Sequence, residues 1–313
     1  WVMELLQNAQ DLAWDDRLVR VRITLERDRL LFEHTGKPFR VKDILAIINQ
    51  VSSKDPGETV GQFGTGFVTT YQLSEQVDIR SVLKEEGLPY RAFHVTLDRR
   101  GKTQEEVHAA IEKNMRELER ADEEGLMAED EYDRDGFHTA FIYHLDNERS
   151  RGIAETGMRD LKDTIQYVLL FAHGIKSVEL NFAGEGQIVY EKGGTERVDV
   201  VPDIVPEAVS DIVPDDVPQA AGELLETVIL ESGEKHYLRH ISVDVSSAEI
   251  SAAGNEKNAD STLTLAIEYD PQRGYLPISE RTARVFIDFP LTGAEDFPFP
   301  MVVNSRAFHS NEP

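Results

Sequence analysis

Few parts of this chain limit its backbone as strongly as the glycine-rich segment Val60-Gly61-Gln62-Phe63-Gly64-Thr65-Gly66-Phe67, which runs directly into an apolar, helix-like stretch ending at Tyr71. Glycine lets a backbone adopt conformations and close approaches that other residues cannot. Exposed amides at the start of a helix favour negative charge, so a loop of this kind can cradle a polyphosphate. A glycine-rich loop on its own more often marks only a turn, and its meaning depends on what accompanies it.

A second segment, residues 4–13, has the spacing of an amphipathic helix. Glu4, Asn8 and Asp11 fall within one narrow polar stripe. The plain interpretation is an ordinary helix with a solvated polar face. An acid and an amide one turn apart could instead hold a divalent cation and orient a water molecule. The opposite side should face a core, since it gathers the apolar residues Val2, Leu5, Leu6, Ala9, Leu12 and Ala13.

Together, the helix and the loop resemble the N and G boxes of the GHKL ATPases, the superfamily of gyrase, the ninety-kilodalton heat-shock chaperones, histidine kinases and MutL. The segment 61–67 is most similar to the heat-shock-chaperone and sacsin-like branch. The resemblance implies a fold of the α/β class: a two-layer sandwich with a mixed, mainly antiparallel sheet (the Bergerat ATP-binding fold), followed by a second α/β domain. It also implies an ATPase that converts ATP and water to ADP and phosphate, slowly in isolation.

The resemblance implies roles for individual residues as well. Glu4 would orient and deprotonate the attacking water, Asn8 would hold the Mg²⁺ that bridges the phosphates, and Asp11 would line the base or ribose side. The glycines of the loop would cradle the phosphates with backbone amides. In the short segment that corresponds to the family's lid, a lysine could pair with phosphate or simply be solvated. The remaining implied nucleotide-binding positions are Gly36, Lys54, Gly61, Gly64, Thr65, Gly66, Phe67 and Thr139.

At His34 the chain departs from the family pattern. Most members carry Asp-x-Gly-x-Gly, whose acid accepts a hydrogen bond from the adenine amino group, whereas residues 34–38 here read His-Thr-Gly-Lys-Pro. Strand alternation puts His34 on the same face as Leu30 and Phe32. If His34 accepts from the base, its protonation near an unperturbed pKa of about 6.5 would weaken ATP binding. Alternatively His34 packs beneath the lid, and Asp11 or Thr139 reads the base.

The composition narrows the classes of function. The 313 residues are 40% hydrophobic and 29% charged, with no apolar run that approaches a membrane span, so we expect a soluble protein with room for two domains. The 33 basic and 58 acidic residues give a formal charge of −25, which disfavours a nucleic-acid-binding or anionic-membrane face. The absence of cysteine excludes disulfides, thiolate zinc sites and cysteine nucleophiles.

Changes in pattern along the chain predict its organisation. Residues 1–182 would form the ATP-binding domain, and 223–313 the start of a second, middle- or transducer-like domain. Between them, 183–222 is acidic and repeats Asp-Ile-Val-Pro at 203–206 and 211–214. Prolines this dense forbid a central strand, so this segment is predicted to be a linker or insertion. Strands are predicted at 18–25, 30–34, 77–83, 90–97, 136–143, 177–182, 225–230, 237–245, 261–269 and 283–289, and helices at 41–51, 103–127 and 160–172.

The function expected from the resemblance is a module of a larger protein that binds and hydrolyses Mg²⁺-ATP to drive lid and domain movements in a chaperone-like or remodelling cycle. The alternatives are an ATP-gated clamp of a nucleic-acid-processing or defence machine, and a non-hydrolysing nucleotide sensor or scaffold. A homodimer through the ATP domain, an unidentified client or partner domain, and a cytoplasmic location would follow. Candidates to complete the γ-phosphate site are Arg281, Arg284 and Arg306.

Overall fold

The structure is a computed structural model that describes residues 1–49, 66–184, 186–198, 223–244, 262–291 and 293–308. It is an α/β protein with a large mixed sheet and a few helices. The chain divides into two compact units, Trp1–Lys162 with His173–Val189, and Asp163–Ala172 with Tyr190–Pro313. No helix formed by the described residues combines the length and apolar character that a membrane span requires.

The elements of the first unit are α1 (Val2–Asp11), β1 (Val19–Leu25), β2 (Arg29–His34), α2 (Val41–Asn49), α3 (Gly66–Thr69), β3 (Gln76–Leu83), β4 (Tyr90–Asp98), α4 (Gln104–Glu124), β5 (Leu126–Met127), β6 (Thr139–His144), the first part of α5 (Glu148–Phe171) and β7 (Ile175–Phe182). These seven strands form one part of the sheet, in the order β7-β1-β2-β6-β3-β4-β5. Strands β1 and β7 pair in parallel, and the other pairings among these strands are antiparallel.

The strands of the first unit bury one face of the sheet and leave the other half-exposed. Along β1 burial alternates strictly, with Val21 and Ile23 buried and Arg22 between them half-exposed beside Glu179. The same alternation in β2 buries His34 with Leu30 and Phe32, so the predicted side of His34 is confirmed. This period of two places the core on one face of the sheet.

The second unit is mainly β among its described residues. Its strands are β8 (Gly186–Arg197, which begins in the first unit), β9 (Leu224–Glu231), β10 (Glu234–Asp244), β11 (Thr262–Asp270), β12 (Gly274–Tyr275), β13 (Val285–Ile287), β14 (Phe289–Pro290) and β15 (Val302–Asn304). Their order is β14-β13-β15-β11-β10-β9-β8, and β12 pairs with β11. The described helical part of this unit is the end of α5, where the rings of Tyr167 and Phe171 lie 6.3 Å and 5.3 Å from that of Phe286.

The segment 183–222, predicted to be a linker or insertion, contains regular structure in its first part, where Gly186–Arg197 is strand β8 and pairs with β9. Two adjacent glycines hide this strand from a pattern analysis, and the pairing shifts register between Lys192 and Thr195. A Cβ at Gly193 would lie 2.9 Å from the carbonyl oxygen of Val228, so the bulge is built where only glycine fits. Residues 199–222, with both Asp-Ile-Val-Pro repeats, lie outside the described residues.

Two helices also differ from their predicted limits. Helix α5 begins at Glu148, whereas the prediction began at residue 160. The prediction began too late because Gly152 and Gly157 weaken the helical pattern of the first turns. A Cβ at Gly157 would overlap the indole of Trp1, so this glycine serves packing. Helix α4 ends at Glu124, whereas the prediction continued to residue 127. The helix ends here because Gly125 lies against strand β4, where its carbonyl accepts a 2.7 Å hydrogen bond from the Ala92 amide.

Gly125 and Gly152 form a matched pair for a stability test. A Cβ at Gly125 would overlap the Ala92 carbonyl and lie 2.7 Å from the Ala121 carbonyl, so Gly125→Ala should destabilise the protein by about 1–3 kcal/mol. A Cβ at Gly152 meets nothing within 4 Å in a helix, so Gly152→Ala should stabilise it by about 0.5–1 kcal/mol. Urea unfolding measures both, and equal effects of the same sign would contradict this packing.

Candidate functional site

Helix α1 is fixed at both ends by neighbours in the first unit. At its start the Trp1 indole N–H donates to the Ile153 carbonyl at 3.2 Å. At its end the Leu12 carbonyl accepts from the Lys37 amide at 2.7 Å. The apolar side predicted for this helix is buried at Val2, Leu5, Leu6 and Ala9. The polar stripe of α1 therefore has a fixed position relative to the sheet.

The Glu4 carboxylate of α1 lies directly against Gly66, the last glycine of the glycine-rich segment and the first residue of α3. A Cβ built on Gly66 would overlap all three carboxyl atoms of Glu4, so no other residue type fits without displacement. Helix α1 also contacts both α3 and the 3₁₀ turn Thr70–Gln72 that follows it. Two motifs separated by about sixty residues of sequence thus meet at one point.

Asn8 and Asp11 lie on the same helix as Glu4, and all three side chains are half-buried. Each of them makes an interaction within the structure, so none of the three side chains is free. No group of three or more histidine and acidic side chains suited to a metal ion occurs among the residues that the structure describes.

His34 sits at the end of β2 with only 1% of its surface exposed. Its Nδ1 accepts a 3.1 Å hydrogen bond from the Gly36 amide, and its ring stacks on Phe141 with centroids 6.3 Å apart. Burial lowers the pKa of His34 to about 4. The imidazole is therefore neutral at pH 7 with its proton on Nε2, because Nδ1 is already an acceptor. The predicted loss of an acceptor near pH 6.5 is wrong, since that protonation is shifted to about pH 4.

Gly36 closes a tight turn between His34 and α1. A Cβ at Gly36 would lie 2.8 Å from Nδ1 of His34 and 2.9 Å from Cβ of Leu12. These distances are shorter than ordinary van der Waals contacts, so the turn needs glycine at this position. Gly36 thereby brings the end of β2 close to the end of α1.

Thr139 and Phe67 complete the described part of the site. Thr139 pairs with His34 across β2 and β6, and its hydroxyl is 2.6 Å from that of Ser81. Phe67, next to Gly66, lies with its ring 5.7 Å from Phe141. Sequence analysis missed Ser81 and Phe141, although strand alternation in β3 and β6 could have placed both on the buried face.

The structure brings together Glu4, Gly66 and Phe67. It groups His34, Gly36 and Thr139 around the end of β2, where Gly36 lies close to Leu12 at the end of α1. It does not describe the other predicted loop and lid positions: Lys54, Gly61, Gly64 and Thr65 lie outside the described residues.

The three candidate arginines belong to the second unit and differ in how they are engaged. Arg306 holds the buried carboxylate of Asp288 at 2.7 Å, and Arg284 donates to the carbonyls of Ser279 and Thr282. Arg281 is the most exposed, with 72% of its side chain accessible and a loose 3.9 Å contact to Asp163. Arg284 and Arg306 have structural tasks within their unit, which leaves Arg281 the freest of the three to contact a ligand.

A scan of the chain against protein-family models gives no match, and a search of curated proteins gives none either. What the site can do therefore has to be inferred from its own residues.

The depressed pKa of His34 predicts a pH dependence of stability. Unfolded histidine binds a proton near pH 6.5 but the folded state only near pH 4, so the contribution of His34 is complete above pH 6.5 and is lost as pH falls towards 4. Between pH 7 and pH 5 the parent should lose about 2 kcal/mol relative to His34→Gln, which does not titrate. Urea unfolding of both proteins at each pH measures this difference. A difference that stays constant across that range would contradict burial of neutral His34.

Proposed function

We propose that this chain is the ATP-binding and ATP-hydrolysing module of a GHKL-type protein, with the two-layer Bergerat arrangement. The contact between the Glu4 carboxylate and Gly66 supports this most directly. It joins a potential general base to the end of a loop suited to phosphate, which is the pairing that hydrolysis of a nucleoside triphosphate needs.

The sheet supports the same proposal. In β1 and β2 one face is buried and the opposite face is half-exposed and polar, as expected when helices cover a sheet on one side. An Arg22 side chain 2.9 Å from Glu179 and 3.8 Å from Glu33 belongs to that second face. A helical layer on one side and a polar surface on the other correspond to two layers.

Mg²⁺ fits this site as an ion that arrives with the nucleotide. Mg²⁺ retains several waters and is held by one or two protein oxygens plus phosphates, and not by a dedicated protein cage. A single amide oxygen from Asn8 and the lack of a preformed ligand cluster in the described part of the chain agree with that habit. When bound, the ion neutralises developing charge on the phosphates.

Under this proposal Glu4 orients a water molecule for attack on the terminal phosphate and takes its proton. Phosphoryl transfer has a loose transition state, so catalysis comes mainly from positioning and charge stabilisation. Packing against Gly66 limits the freedom of the Glu4 carboxylate, and limited freedom is what positioning requires. A general base of this kind contributes about 10²–10⁴-fold.

His34 supports the base pocket and does not accept from adenine. An aspartate at this position would offer only acceptors, whereas the buried imidazole spends its acceptor Nδ1 on the Gly36 amide. Reading of the adenine amino group then falls to Asp11, or to Thr139 through water. The neutral ring, stacked on Phe141, keeps the Gly36 turn against α1.

The experiment separates binding from chemistry in three variants of α1. Asn8→Ala should weaken Mg²⁺-ATP binding at least tenfold, because it removes a ligand of the ion, while Gln7→Ala on the same helix should bind within about twofold of the parent. Glu4→Gln keeps the size of the side chain beside Gly66, so it should bind ATP normally and lose about 10²-fold or more in turnover. Calorimetry and phosphate release measure the two properties.

Each outcome discriminates between functions. Undiminished binding by Asn8→Ala would remove the magnesium assignment, and equal turnover in Glu4→Gln and parent would remove Glu4 from the mechanism. ATP binding without any turnover in the parent would favour the non-hydrolysing sensor or scaffold instead.

A further inference from the structure

A cavity lies in the first unit, between the β3–β4 hairpin and helix α4. Its volume is about 610 Å³, within the range of about 300–1,000 Å³ that small-molecule sites occupy. The floor includes Val82, Ala92 and Phe93 from the two strands. The polar side chains that line it are Arg80, His94, Glu117, Arg120, Glu124 and His138.

Two guanidinium groups distinguish this cavity. The side chains of Arg80 on β3 and Arg120 on α4 form no ion pair or hydrogen bond with any other residue that the structure describes. The chain has 58 acidic residues for 33 basic ones, so an arginine has many chances to find an acid. Elsewhere in the same unit such pairs are common: Arg22–Glu179 at 2.9 Å, Arg100–Asp98 at 2.6 Å and Arg134–Asp16 at 2.7 Å.

The acids of the cavity do not neutralise these arginines. The Glu117 carboxylate accepts a 3.3 Å hydrogen bond from the Thr96 amide and lies 3.7 Å from the Lys113 ammonium. Its partners are therefore a backbone amide of β4 and a lysine of α4, and not the two arginines. Glu124 is exposed near the end of α4 and makes no ion pair with either arginine. The cavity therefore presents two guanidinium groups that are not engaged by its glutamates, and their planar sets of donors suit an oxyanion.

We propose that this cavity binds a small organic oxyanion, through a carboxylate or phosphate group held by Arg80 and Arg120. Its apolar floor accommodates the remainder of the ligand. Neither Glu4 nor Gly66 lines this cavity, and Ser81 is the residue that it shares with the group around His34.

The test follows the imidazole NMR signals of His94 and His138, which line the cavity, during titration of the full chain at constant ionic strength. The probes are inorganic phosphate, citrate and the neutral control glycerol. Saturable shifts of both signals are expected with phosphate, citrate or both, and none with glycerol. His236 and His240, which lie in the second unit, serve as reference signals.

Matched variants locate the binding groups. Arg80→Gln and Arg120→Gln should each weaken the affinity about tenfold or more, because each removes a charge-assisted donor pair. Arg159→Gln, an exposed arginine of α5 outside the cavity, should stay within about twofold of the parent. A response to one probe alone identifies which oxyanion is preferred. The absence of saturable shifts with both anions, shifts of equal size with glycerol, or equal affinity in all variants would overturn the proposal.

Discussion

The Glu4 carboxylate occupies the space where a side chain of residue 66 would begin, and much of the first unit follows from that contact. As long as the carboxylate keeps this position, residue 66 has to be glycine, because any Cβ there would push the end of the Glu4 side chain aside. The contact also requires that α1 hold its position, which Trp1 and Leu12 secure through hydrogen bonds to Ile153 and Lys37. A displacement of α1 would separate the Glu4 carboxylate from Gly66. Positioning of this kind is the main contribution a protein makes to phosphoryl transfer.

Beneath that contact, a buried neutral histidine sets the conditions under which the site is stable. Burial removes the ring of His34 from water and lowers its pKa to about 4. Nδ1 therefore stays unprotonated and accepts the hydrogen bond from the Gly36 amide. The Gly36 turn in turn touches Leu12 at the end of α1. The same histidine thus links the sheet to the helix that carries Glu4. Acidification acts on this link through protonation of the unfolded chain well before the folded histidine is charged.

Local periodicity predicts many of the strands and helices of the first unit. It does not predict the contacts between residues that are distant in sequence. The alternation in β1 and β2 correctly gave both strands and the buried side of His34, because one face of that sheet is a core. Because glycines interrupt the pattern, the prediction made helix α5 too short and missed strand β8. These glycines pack against residues distant in sequence: Gly157 against Trp1 and Gly193 against Val228. No local pattern contains such information.

The candidate site divides in the same way. Glu4, Asn8 and Asp11 could be placed on one helix face from spacing alone. The proximity of Glu4 to Gly66 and the hydroxyl pair of Ser81 and Thr139 depend on strands and helices distant in sequence. The cavity lined by Arg80 and Arg120 had no sequence signal, because its residues come from four separate segments with no shared motif.

Backbone and side-chain amide NMR provides the most direct measurement of the proposed nucleotide site. Addition of a non-hydrolysable ATP analogue with Mg²⁺ should shift the Gly66 amide and the Asn8 side-chain amide together and saturably, and omission of Mg²⁺ should reduce the Asn8 shift most. That result would place polyphosphate and metal between the helix and the loop. Saturable binding that leaves both signals unchanged would contradict the account, since the nucleotide would then bind elsewhere.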